Sequence, residues 1–340
     1  MSPSFEHLVV IGASTGGVQA LQEIANALPR FFAAPVCIVQ HVGNNPSILP
    51  ELLRYRGANH AMHAEDGQRL TSGTLHIAPP DFHMLVVGDR LRLTRGPKEN
   101  HTRPAIDPLF RSAALSWGPR CIGVILTGHM DDGAAGLKAV HDCGGVTVVQ
   151  DPDTAAEPEM PRNALAAVPP RYCVPLVQIA PLLQRLVGQP APATSVPVPE
   201  AVIREVAINQ GEATVENIAS IATPSTLTCP DCGGSLWEMK ETKPLRYRCH
   251  TGHAYSAVSL ARAQQEGSEL ALRNGVRVLR EREMLLRRVA AIAEATGEPA
   301  QAAAGIAQAN RLRSQIASLT QIADSASEGD AGIHEQDATA

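Results

Sequence analysis

The chain has no apolar run approaching the roughly 20 residues that a membrane-spanning helix needs. Its amino terminus, Met1 to His7, lacks the positive region and apolar stretch of a signal peptide, so the cytoplasm is the expected compartment. It also lacks a basic excess: the formal net charge of −5 removes the electrostatic basis for a nucleic-acid partner. No internal repeat recurs. Cysteine is sparse and odd in number, seven in 340 residues, which fits reduced thiols better than a disulfide framework. What is present is a hydrophobic fraction of 44% against 19% charged residues, ordinary for a soluble globular protein. The length accommodates two or more domains.

Residues 1–187 alternate strand-like and helix-like patterns. Strand candidates are 8–13, 35–40, 74–78, 83–87, 91–95, 121–126 and 145–149; helix candidates are 17–28, 47–56, 108–116, 133–142 and 177–187. Such alternation points to an α/β layered fold with a largely parallel sheet. The pair 83–87 and 91–95 reads as a hairpin, a local antiparallel addition. Cys37, Cys121, Cys143 and Cys173 lie in or beside apolar runs and read as small buried hydrophobes.

Residues 188–226 are rich in Pro and Ala and read as an extended linker at a domain boundary. Residues 227–256 form a compact Cys/His-rich module. Over 257–326 apolar residues recur at helical spacing (Leu272, Val276, Leu279, Leu286, then Leu312, Ile316, Leu319). Thr296-Gly297-Glu298-Pro299 supplies a helix stop and a start, which predicts a helical hairpin. Residues 327–340 are expected to be disordered.

The most informative stretch is 8–17, an apolar run that stops on Ser14 between small residues and is followed by an amphipathic segment. A strand–turn–helix unit of this kind presents one side chain beside a helix amino terminus, where a nucleophile can sit or a phosphate be cradled. Gly12-Ala13-Ser14-Thr15-Gly16 satisfies the G-x-S-x-G pattern of a nucleophile elbow. The G-x-G-x-x-G fingerprint of dinucleotide binding fails, because Ala13 and Ser14 break the glycine spacing. The next strand ends not on a ribose-binding acid but on His41, which would share the carboxyl rim of the sheet with Ser14 and could serve as its general base. After strand 121–126, the segment Thr127-Gly128-His129-Met130-Asp131-Asp132-Gly133 brings a carboxylate to the same rim, from Asp131 or Asp132. The order Ser, His, Asp differs from the Ser, Asp, His of familiar α/β-hydrolases.

These segments resemble the catalytic domain of the CheB-type protein-glutamate methylesterases over about residues 6–187. Gln40-His41-Val42, His76-Ile77-Ala78-Pro79-Pro80, Arg103-Pro104, Phe110-Arg111-Ser112-Ala113-Ala114 and Met160-Pro161-Arg162 carry the resemblance further. It implies a doubly wound, mostly parallel α/β fold and a serine esterase of glutamyl methyl esters on chemoreceptors, with glutamine deamidation as a second activity. Position by position it implies the triad Ser14, His41 and Asp132, with Asp131 where the family often has asparagine. It places Thr15 beside the nucleophile, and His129 at the family methionine that gives a backbone N–H to the oxyanion. It implies no cofactor for catalysis. The expected partners are methyl-accepting chemotaxis receptors, through their cytoplasmic helices, and a separate response regulator or scaffold. The family's familiar two-domain members carry a receiver domain ahead of the catalytic domain. Ser14 lies too near the start for one, so activity is expected to be unregulated, controlled by another chain, or controlled through the carboxyl-terminal part. The competing reading is a catalytically silent adaptor of a chemosensory complex.

Cys229-Pro230-Asp231-Cys232 and Cys249-His250-Thr251-Gly252-His253 carry metal-ligand spacing. Cys229, Cys232, Cys249 and His253 would make a closed Cys₃His site for structural zinc, with His250 as the alternative fourth ligand and a redox thiol pair as the alternative use. Similar zinc-ribbon tails accompany some stand-alone methylesterase-like proteins. Trp237, Leu245, Tyr247 and Tyr255 are expected to pack this small module, which is too short for a core of its own. Arg273, Arg277, Arg280, Arg287 and Arg288 alternate with glutamates on the helices and read as a solvated face or a docking surface for a receptor, a scaffold or a second copy.

Overall fold

The computed structural model describes residues 5–42, 46–191 and 196–328. The first elements in chain order are β1 (Leu8–Ala13), α1 (Gly17–Ala27), β2 (Val36–Gln40), α2 (Leu49–Arg56), β3 (His60–His63), β4 (Thr74–Ile77), β5 (His83–Val87) and β6 (Arg90–Thr94). There follow α3 (Ile106–Trp117), β7 (Cys121–Ile125), α4 (Ala134–Asp142), β8 (Val146–Gln150), α5 (Glu159–Ala167), β9 (Tyr172–Val174) and α6 (Leu176–Val187). The rest comprises α7 (Glu200–Asn209), α8 (Val215–Ile221), β10 (Ala222–Thr228), β11 (Ser235–Thr242), β12 (Leu245–Cys249), β13 (Ala254–Ser256), α9 (Ala257–Ala295) and α10 (Pro299–Glu328).

Seven strands form one sheet in the order β3-β4-β2-β1-β7-β8-β9, and every pairing in it is parallel. The central strands are buried along their whole length, which is why they read as unbroken apolar runs rather than as alternation. Val10, Phe110, Leu137 and Met160 belong to the core under one face, and Ile11, Leu21, Leu53 and Leu183 to the core under the other. Chain direction across the sheet reverses between β1 and β7, and the crevice at such a switch point is where α/β folds place their sites.

The structure departs from the sequence reading at specific places. The β5–β6 hairpin is a separate two-stranded sheet rather than an addition to the main one. The short edge strands β3 and β9 and helix α5 carry no strong pattern; Pro161 in the first turn of α5 obscures a helix that tolerates it there. Helix α3 starts at Ile106, ahead of the expected 108, because Pro108 also lies in a first turn. Cys37, Cys121 and Cys143 are buried as expected, but Cys173 on the edge strand β9 is exposed.

The stretch 188–226, read as an extended linker, instead holds α7, α8 and the start of β10. Val202 of α7 joins the core beside the main sheet. Strands β10 to β13 form a four-stranded antiparallel sheet with a small core of Leu236, Tyr255 and Leu260. The chain divides into two compact units, Met1–Leu260 and Ala261–Ala340, so the small sheet belongs with the large one. In the second unit Val276 and Ala290 of α9 and Ala309, Leu312 and Ile316 of α10 are buried, and Arg287 of α9 donates to the Asn310 side chain of α10 at 3.0 Å. The expected tail, 327–340, falls almost wholly outside the described residues.

Candidate active site

Three loops at the carboxyl edge of the parallel sheet converge on one point. Ser14 follows β1, and its N–H donates to the Thr127 carbonyl at 3.0 Å. Its own carbonyl accepts from Gly17 N–H and from the Gln40 side-chain amide, both at 2.8 Å, which pins the turn. Gly16 caps α1 at φ 76°. Gly128 approaches so closely that a Cβ there would lie 2.6 Å from the Ser14 Cβ, so only glycine fits. His41 follows β2, and its N–H donates to the Ala13 carbonyl at 3.1 Å.

The His41 ring bridges the other two side chains. Nδ1 lies 3.1 Å from Ser14 Oγ and Nε2 lies 2.8 Å from Asp132 Oδ2. The tautomer that suits a base carries its proton on Nε2, toward the carboxylate, and leaves Nδ1 free to accept from the serine. The two ring nitrogens thus exchange the places they hold in the serine-protease template.

Asp132 is buried and surrounded by donors. Ile106 N–H reaches Oδ2 at 2.6 Å, while Asp107 N–H and Asn100 Nδ2 reach Oδ1 at 3.3 and 3.2 Å. Ile106 and Asp107 open α3, so the carboxylate sits at a helix amino terminus. Burial opposes its ionisation, but the bond and charge of His41 and the Ile106 and Asn100 donors outweigh it and hold its pKa below the ordinary value. Asp131 points elsewhere: its Oδ1 accepts from Ser256 Oγ at 2.8 Å, and burial pushes its pKa up to about 6. Of the two acids in the loop, the structure brings Asp132 to the histidine.

Thr15 and His129 flank the nucleophile, and among the described residues their backbone N–H groups make no hydrogen bond. The His129 ring lies outside, half-exposed, 3.5 Å from both the Glu157 and the Glu159 carboxylates. An open cleft of about 660 Å³ beside Ser14 is lined also by Gln19, Gln22, His41 and Arg56.

The four Cys/His candidates also converge. The donor atoms of Cys229, Cys232, Cys249 and His253 all lie within 4.8 Å of one another. Cys232 Sγ is 3.7 Å from Cys249 Sγ, close to the ~3.8 Å edge of a tetrahedron with ~2.3 Å metal–sulfur bonds. All three thiols are free. The donor set therefore fits a tetrahedral zinc ion, and the alternative ligand His250 stands outside the group. Of the residues expected to pack the module, Tyr255 is fully buried and Tyr247 packs against it, whereas Trp237 joins a different cluster beside α8.

Residues 9–183 match the CheB methylesterase family. The chain belongs to that family. A putative protein-glutamate methylesterase/protein-glutamine glutaminase of Leptospira interrogans is 40% identical over 184 residues, spanning 52% of this chain and 93% of that protein. The protein-glutamate methylesterase FrzG of Myxococcus xanthus is 39% identical over 182 residues, 53% of this chain and 54% of FrzG. The solved structure of the Thermotoga maritima CheB methylesterase catalytic domain superposes with a TM-score of 0.51 at 33% identity, covering 55% of this chain and all of that domain. The CheB match ends before the Cys/His module begins.

Three residues around the CheB site escaped the sequence reading. Gln40 was adjacent to a candidate, and its amide also reaches the His41 carbonyl at 3.1 Å. Asp107 accepts from Gly133 and Gly136 N–H and so ties α3 to the aspartate loop. Asn100, at φ 48°, donates to Asp132 from a distant loop, and nothing local in the sequence announces that.

Proposed function

We propose that this chain hydrolyses glutamyl methyl esters on the cytoplasmic helices of methyl-accepting chemotaxis receptors, as a cytoplasmic enzyme of chemosensory adaptation. The observation that carries this reading is the single imidazole spanning Ser14 Oγ and the buried Asp132. The activities for which the relatives are named supply the substrate class. Among the described residues no helix is long and apolar enough to cross a membrane.

His41 Nδ1 takes the Ser14 proton as Oγ bonds to the ester carbonyl carbon. Asp132 fixes the tautomer and stabilises the imidazolium. The N–H groups of Thr15 and His129 donate to the oxyanion, each good donor contributing about 3 kcal/mol. The tetrahedral adduct then expels the methoxy group, which takes the proton from His41 and leaves as methanol. Water, deprotonated by His41, attacks the acyl-serine and releases the glutamate side chain. The same sequence on a glutamine amide releases ammonia, the second activity in the relatives' names. None of these steps calls for a cofactor. Cys229, Cys232, Cys249 and His253 would hold a structural zinc, which would supply cross-links to the small sheet.

Methanol release from methylated receptor membranes tests the reading. The wild-type chain is expected to release methanol and Ser14→Ala to release none above background; equal release by the two would remove Ser14 from the chemistry.

A further inference from the structure

The small sheet reaches the active centre through one side chain. Asn100 is buried and bridges two parts of the molecule. On one side its Nδ2 donates to the Asp132 carboxylate at 3.2 Å. On the other its Oδ1 accepts from Ser256 N–H, at the end of β13, and from Ser259 Oγ, in the first turn of α9, both at 3.0 Å. The Asn100 N–H donates to the Ala254 carbonyl at 2.8 Å, so backbone and side chain are both tied to the same strand. Those two acceptor contacts decide which end of the amide faces the aspartate: the oxygen is engaged, so the NH₂ must point at Asp132. Ser256 and Ser259 are themselves buried and tied together by the Ser259 N–H, which donates to Ser256 Oγ at 2.9 Å, while Ser256 Oγ donates to Asp131, the neighbour of Asp132.

A second contact holds the same segment. Glu99, next to Asn100, is buried against Arg111 of α3, Arg248 of β12 at 3.0 Å and Asn209 of α7 at 2.6 Å. Glu99 therefore has little freedom to shift unless Arg248 of the small sheet shifts with it.

We propose that Asn100 is a positioning residue for Asp132, and that Ser256 and Ser259 make the end of the small sheet part of the catalytic apparatus. This rests on the triad reading above, but not on the identity of the ester. An aspartate that must orient one histidine has two oxygens to place; Asn100 and Asp107 N–H fix Oδ1, which leaves Oδ2 to Ile106 N–H and His41. Control exerted on the small sheet would reach the nucleophile by this path.

The test uses the full chain and a serine-directed fluorophosphonate, which reports the triad without a receptor, beside methanol release. Asn100→Ala is expected to slow Ser14 labelling by about 10-fold or more, the loss typical of a hydrogen bond to a charged group, and to lower kcat with KM unchanged. The downfield imidazole proton of the His41–Asp132 bond should shift or broaden in its NMR spectrum. Ser259→Ala removes one hydroxyl and little volume, and is expected to slow labelling by about 3-fold with the fold intact. If Asn100→Ala unfolds, the Ser259→Ala rate and proton shift still decide. Wild-type labelling rates and an unmoved proton in the folded variants overturn the positioning role while leaving the esterase standing. Slowed labelling without methanol release in any form would uphold the positioning role and remove the substrate assignment. Absence of wild-type labelling would overturn both.

Discussion

The Ser14–His41–Asp132 centre and the Cys229–Cys232–Cys249–His253 cluster hold their side chains by opposite means. Ser14 and His41 follow strands buried in a parallel sheet and their backbones are fixed by Ser14 N–H to Thr127 and His41 N–H to Ala13, while the Asp132 carboxylate is held by the N–H groups that open α3. The second sits on turns of a small antiparallel sheet with Cys232 exposed and a core of only a few apolar side chains. In the first the scaffold exists without the site. In the second the ligands supply much of what the core cannot. Removing a side chain should therefore cost function in one place and folding in the other.

The largest expected effect is on the chemistry. Asp132→Asn should lower methanol release by about 10⁴-fold, because the amide favours the wrong tautomer, with the melting temperature little changed. A large loss of stability in that variant would break the contrast. Next in size is the interface between the two sheets. Arg248 is fully buried and bonds Glu99 at 3.0 Å and Glu205 at 2.9 Å, while Arg246 bonds Glu205 at 2.8 Å. Both carboxylates are pressed upward by burial yet held well below their ordinary range by the arginines, Glu99 at about 2. Arg248→Met should destabilise by about 3–5 kcal/mol in chemical denaturation, since it leaves buried charge uncompensated.

Treatment with a chelator is expected to raise hydrogen exchange in β11 to β13 while β1, β2 and β7 stay protected. Unchanged exchange would mean that the thiols carry no structural ion. The smallest effect concerns Asp131. Its folded pKa is raised to about 6, mainly by burial, so its ionised form is disfavoured in the folded chain. That penalty is absent below the unfolded value, grows as pH rises and is complete above about pH 6. Asp131→Asn keeps an acceptor for Ser256 and should raise stability at pH 8 by about 1–3 kcal/mol, with no gain near pH 3.5.

The parallel sheet was legible because strands such as β1 and β7, covered on both faces, must be apolar throughout. Ser14 and His41 were legible because they end such strands. Between Asp131 and Asp132 residue chemistry alone gave no choice; the Ile106 and Asp107 donors at the start of α3 make it in the structure. The helices within 188–226 were hidden by flanking prolines, and their packing comes from side chains like Val202 whose partners are far away in sequence. Asn100 was illegible for the same reason, since its role needs a left-handed backbone and two surfaces brought together from 156 and 32 residues away.

The most direct test of the central claim is to trap the nucleophile. After reaction with a fluorophosphonate, peptide mass mapping is expected to find the adduct on Ser14, with labelling slowed sharply in His41→Ala and abolished in Ser14→Ala. An adduct on another residue, or a labelling rate indifferent to His41, would contradict the account.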